Sequence, residues 1–111
     1  MKIYVDWSGK GRYGFVTEGN IAKIFEKKNI TNNQAEYLAI LEALKWVEEK
    51  ELTILSDSFD VVNQLNHEFH IKDDKLRELA LQVWETMKRK GLTIEFKWIP
   101  RNENKAGKML G

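Results

Sequence analysis

Three acidic residues stand where acids are out of place. Asp6 ends the apolar run Ile3-Tyr4-Val5, and Asp57 follows the run Leu52-Thr53-Ile54-Leu55-Ser56. Glu36 lies at the start of a long amphipathic segment, within Thr31-Asn32-Asn33-Gln34-Ala35-Glu36-Tyr37. Asp is disfavoured in strands, and a buried carboxylate is costly unless it is paired or bound to a cation. Brought to one place, the three would make a site for a hard divalent cation, which takes oxygen ligands. Each acid also has a purely structural reading. Asp57 is placed to cap a helix that begins at Ser58. Glu36 fits a capping box with Asn33, or simply lies in the Thr31–Gln34 turn. Asp6 is placed to open the Ser8-Gly9 turn. Singly, the structural readings of Glu36 and Asp57 are the stronger ones; together, they depend on where the elements put the side chains.

The elements follow from periodicity. Residues 2–7 read as a strand, Gly9-Lys10-Gly11 as a turn, and Tyr13 to Glu18 and Ile21 to Lys27 as two more strands. Gly19-Asn20 suits a two-residue hairpin turn that needs positive φ. A helix is predicted from Gln34 to Glu49, with Tyr37, Ile40, Leu41, Leu44 and Val47 at helical spacing. Residues 52–56 form a fourth strand, a short helix runs from Ser58 to Leu65, and residues 66–72 are irregular. A second long helix spans Asp73 to Lys90 and stops at Gly91. In the last strand Leu92, Ile94, Phe96 and Trp98 alternate with Thr93, Glu95 and Lys97. The order βββαβααβ predicts an α/β fold, a mixed sheet with helices packed on it. The fourth strand enters by a helical crossover and so lies parallel to the first. Asp6 and Asp57 then stand side by side at strand carboxyl ends, where α/β sheets place ligands, and Glu36 leans towards them from the first turn of the crossover helix.

The bulk properties are those of one ordinary domain over residues 1–111. The chain is 42% hydrophobic and 32% charged, with a net charge of +1 and no cysteine. Disulfide, zinc–thiolate and thiol chemistry are thereby excluded. No apolar stretch is long enough to cross a bilayer, and the N-terminus lacks the features of a secretory signal, so a cytoplasmic monomer without membrane contact is expected. Lys88, Arg89, Lys90, Lys97, Arg101, Lys105 and Lys108 crowd the last quarter. Such a bias can follow a phosphate backbone, although charge alone favours a solvated surface.

The residues carry a family resemblance. Asp6-Trp7-Ser8-Gly9 resembles the D-G-S-x opening of type 1 ribonuclease H, Thr31 to Glu36 its T-N-N-x-x-E helix start, and Ser56-Asp57-Ser58 its [ST]-D-S strand end. Gln64 to Lys72 is similar to the Q-L-N-G-E-[WY]-x-V-K stretch of the short bacterial and archaeal members. Trp98-Ile99-Pro100-Arg101 with Asn104-Lys105 resembles their W-[IV]-P-R-x-x-N-K segment. The match runs through essentially the whole chain in order. It implies the ribonuclease H-like fold, a five-stranded mixed sheet of order 3-2-1-4-5, and hydrolysis of the RNA strand of RNA–DNA hybrids. It further implies Mg²⁺, replaceable by Mn²⁺, with Asp6 bridging two ions and Glu36 and Asp57 holding the one beside the leaving group. Substrate contacts carried over are Ser8, Gly9 and Ser58, Asn32, Asn33 and Gln34 for RNA, Thr31 for a DNA phosphate, and Phe69 and Lys72 along the DNA strand.

The sequence departs from this pattern at its tail. The family's fourth acidic ligand aligns with Lys108, or with Gly107 if the register shifts by one, and neither binds Mg²⁺. Glu103 is the nearest carboxylate. Trp7 replaces the usual Gly, Phe59 replaces a polar residue that touches RNA, the first loop is short, and the larger members' basic handle is missing. Two readings follow: an active hybrid nuclease, weakened by the lost acid, and a non-catalytic module that binds hybrids through a degenerate site. A transposase or integrase core of the same superfamily is disfavoured, because the later helix offers no good candidate for the last acid those cores place there, and the T-N-N-x-x-E motif argues against it.

Overall fold

The first strand pairs with two neighbours and sets the frame. In the computed structural model, which describes residues 1–110, β1 (Lys2–Trp7) is antiparallel to β2 (Arg12–Thr17) and parallel to β4 (Glu51–Ser56). β3 (Ala22–Glu26) extends the meander, and β5 (Thr93–Trp98) lies parallel to β4. The five-stranded sheet has the order β3-β2-β1-β4-β5, as expected. The hairpin between β2 and β3 differs from the two-residue turn. Thr17 N–H bonds to the Ile21 carbonyl at 2.9 Å across Glu18–Asn20, and Asn20 takes the left-handed conformation at φ 66°. Three-residue loops place such a residue last.

Helix α1 (Asn32–Trp46) crosses from β3 to β4. Thr31 caps it, forming a reciprocal capping box with Gln34. It stops three residues before the expected Glu49, with Val47 already extended at ψ 131°. Glu48 and Glu49 would put negative charge at the negative end of the helix dipole, which disfavours continuing it. Helix α2 (Phe59–Leu65) is capped by Ser58, and α3 (Asp74–Lys90) by Asp73, with Gly91 left-handed at its end. The chain closes with a 3-10 turn at Arg101–Glu103 and a short helix α4 (Lys105–Leu110). Gly111 lies outside the described residues.

The main core lies between one sheet face and the α1–α3 pair. Ile3, Val5, Phe15 and Ile54 meet Tyr37, Ile40 and Leu44 of α1, and Leu79, Ala80 and Val83 of α3 back that helix. Helix α4 packs on β1 and β2, and the Lys105 ammonium over the Tyr4 ring puts it against the face that carries Tyr4. β5 is less buried than its alternation implies. As the edge strand it buries Phe96, whereas Trp98 is 45% exposed.

Candidate active site

The parallel register of β1 and β4 brings the two aspartates to the same rim. Tyr4 pairs with Leu55, and Asp6 and Asp57 each stand two residues further on. Side chains alternate along a strand, so Ser56 and Asp57 point to opposite faces. Ser56 turns towards α1, where its hydroxyl donates to Glu36 Oε1. Asp57 turns towards α4, where its Oδ2 accepts a 3.1 Å hydrogen bond from Asn104 Nδ2. Asp57 does not cap α2, since Ser58 Oγ takes that role.

Glu36 is wholly buried in the first turns of α1. It plays no part in the capping box, which belongs to Thr31 and Gln34. One carboxylate oxygen meets Ser56, and the other, Oε2, is buried without a hydrogen-bond partner. Burial pushes the Glu36 carboxyl well above the usual range; the Ser56 bond opposes this, and the Asp6 and Asp57 charges add to it. Asp6 is pushed up to about 6, mainly by burial and in smaller part by Asp57, against a backbone hydrogen bond from Trp7 and the charge of Arg101. The acids thus sense one another electrostatically.

Asn104 is the organising residue that sequence reasoning passed over. Only 1% exposed, it donates to the Val5 carbonyl at 2.9 Å as well as to Asp57, and its Oδ1 accepts from Ala106 N–H at 3.0 Å. It ties the end of β1, Asp57 and the start of α4 together. The signal was its place in the segment after Pro100, where it read as part of a motif without a role. Next to it, Gly107 lies so close to Asp6 that a Cβ there would stand 2.8 Å from Asp6 Oδ2. Asp6, Ser8, Gly9, Arg101, Asn104 and Lys108 share the walls of one cleft of about 390 Å³. Glu103 points elsewhere, into a groove with Lys2, Tyr4 and Lys97, so it does not stand in for the missing acid.

The remaining site candidates are spread over other surfaces. Thr31, Asn32 and Asn33 line a shallow groove with Asp60 and Asp73, and the Gln34 side chain is held in the capping box. Phe69 stacks edge-on against Phe59, which meets Trp98 in the same way. The Trp98 indole donates to the Asp57 carbonyl at 3.2 Å, which sets this aromatic group beside the rim. Lys72 is exposed.

The donor set suits a hard cation: carboxylate oxygens at the rim, one of them a buried orphan on Glu36. Yet among the described residues no three acidic or histidine side chains form a ready-made metal cage. The alternation at Ser56–Asp57 explains this, because Glu36 approaches from the α1 face and Asp6 and Asp57 from the α4 face. The oxygen donors match such an ion by type, and holding one requires Glu36 and the two aspartates to be drawn together. They offer nothing for a second, since Gly107 has no side chain and Lys108 is cationic.

Comparisons with known proteins bear on the fold and the family. No curated protein matches the sequence. The N-terminal RNase H domain of a Mycobacterium tuberculosis protein, fused to maltose-binding protein, is 22% identical, with 99% of this chain and 88% of that one covered and a TM-score of 0.81. RNase H1 of the halophilic archaeon Halobacterium salinarum is 23% identical over 98% of this chain and 92% of that one, at a TM-score of 0.83. LC11-RNase H1 in complex with an RNA/DNA hybrid is 24% identical over 98% and 91%, at a TM-score of 0.81. These likenesses show that the architecture is ribonuclease H-like. The family model described as reverse transcriptase-like matches residues 9–111, and the chain belongs to that family.

Proposed function

We propose that the chain is a metal-dependent endoribonuclease that hydrolyses the RNA strand of RNA–DNA hybrids, a type 1 ribonuclease H of the short kind without the basic handle. The observation that carries this reading is Glu36. A wholly buried carboxylate with an unpartnered oxygen, beside two more acids at a strand-end rim, is costly to the fold. A glutamine would fill the same space without a charge to bury. A similar structure that holds an RNA/DNA hybrid supports the choice of substrate.

Asp6, Glu36 and Asp57 would hold the cation, which when bound supplies charge at the phosphate and makes water more acidic. The chain's own residues do the rest. Ser56 fixes one Glu36 oxygen and leaves the other free to ligate. Asn104 holds Asp57 against the end of β1, so the spacing of the two aspartates is set by backbone register and one amide. Ser8 and Gly9 form the near wall of the cleft for the RNA backbone. Asn32 and Asn33, at the start of α1, present amides, which suit 2′-hydroxyls that both donate and accept. Phe69 and Lys72 would contact the DNA strand, by their match to the family's Q-L-N-G-E-[WY]-x-V-K stretch. We take the protein to act as a cytoplasmic monomer.

A second reading is favoured by Gly107 and Lys108: a module that binds hybrids without cutting them. The test is cleavage of hybrid, duplex RNA and duplex DNA in Mg²⁺ and in Mn²⁺, with Asp6→Asn as the control. Cutting confined to the hybrid, metal-dependent and lost in the control, is the expected result. Salt-sensitive binding of an uncut hybrid in both metals would establish the module instead.

A further inference from the structure

The cleft beside Asp6 has the wrong charge for two cations. Among its described lining residues Asp6 is the one carboxylate, while Arg101 and Lys108 are both cationic. A side chain at position 107 would press on the Asp6 carboxylate, its Cβ 2.8 Å from Oδ2, so the residue there is a glycine and supplies no acid. At position 108 the side chain lines the cleft, and it carries an ammonium. A divalent ion next to it would be repelled. On the same wall the hydroxyl of Ser8 is buried with no hydrogen-bond partner. An unpaired hydroxyl and a flexible ammonium with three donors are groups that bind a phosphate oxygen.

Resting on the nuclease reading, we propose that this chain takes up a single divalent cation, and that Lys108, with Ser8, contacts a substrate phosphate directly where a second cation would otherwise neutralise it. A lysine contributes one positive charge and needs no carboxylates to hold it in place. One ion is then left to Asp6, Glu36 and Asp57, the three acids that meet at the rim.

The experiment counts ions and phosphate contacts separately from cleavage. Mn²⁺ uptake by the full chain is measured by calorimetry and electron paramagnetic resonance for wild type, Lys108→Asp and Lys108→Gln. Hybrid binding is measured in chelator over a range of salt concentrations, and melting curves check that each variant folds. Wild type is expected to take one Mn²⁺ and Lys108→Asp two. Lys108→Gln should flatten the salt dependence of hybrid binding by about 0.9 in the log–log slope, the loss of one phosphate contact. Uptake of two ions by wild type, or an unchanged slope in Lys108→Gln, overturns the proposal while leaving the nuclease reading intact. One ion with the hybrid bound but uncut removes hydrolysis and keeps the ion count and the lysine contact. No ion and no cleavage removes both.

Discussion

At the residue scale the site stores an electrostatic cost. Asp6 has its pKa raised to about 6 from 3.8 by burial first, and Glu36 is raised for the same leading reason. A raised carboxyl pKa means that the folded chain prefers the neutral form. Its contribution to stability is therefore whole below the unfolded value and is lost as pH climbs through the folded one. For Asp6 that window runs from about pH 4 to above pH 6. Asp6→Asn should melt like wild type near pH 4 in chelator and above it at pH 7.5, by up to about 3 kcal/mol; differential scanning calorimetry at the two pH values reads this. Equal melting at both would mean that the carboxylate is better solvated than its burial implies. Glu36→Gln should act in the same direction, and both variants should lose hydrolysis. Asn104→Ala has the opposite sign. It leaves the Val5 carbonyl and the Ala106 N–H without partners, at about 1–3 kcal/mol for each buried unsatisfied group. Urea unfolding should show that loss together with reduced cleavage, whereas a surface amide would show neither.

At the scale of elements, legibility followed the strength of the local signal. The meander, the crossover helix and α3 with Asp73 and Gly91 at its ends were readable, because periodicity and caps agree there. The β1–β4 pairing was readable because handedness restricts the crossover, and with it came the placement of Asp6 and Asp57 at one rim. The end of α1 was not, since the apolar spacing runs on to Val47 while the charges of Glu48 and Glu49 argue against a longer helix. Trp98 alternates as a core residue would, but β5 has no further strand beside it. The division of labour between Asp57 and Ser58 was also hidden: either fits the cap by type, and only the position of Asn104 decides it. The capping box gives a direct check on α1. Thr31→Ala should cost about 1 kcal/mol in chemical denaturation. Because Glu36 rides on the same turns, it should also weaken metal uptake. A stability loss with unchanged metal affinity would show that the first turn does not position that acid.

At the scale of the molecule, the sheet and the α1–α3 pair carry stability, and the rim carries the proposed site. Ile54 is buried in the centre of the sheet, and Ile54→Ala should cost about 2–5 kcal/mol in urea unfolding. The Asp6–Asp57 spacing follows from the hydrogen-bond ladder, so residual activity per folded molecule should change little. The net charge of +1 gives little long-range attraction to nucleic acid, and affinity for hybrids should rest on the local contacts at the rim. Helix α4 stands apart from this division. Its buried residues Ala106 and Leu110 lie outside the main core cluster, yet it supplies the backbone that abuts Asp6. The exposed Lys108 can therefore be exchanged with little effect on the main core, so the charge beside Asp6 is set by a part of the chain on which the scaffold barely depends.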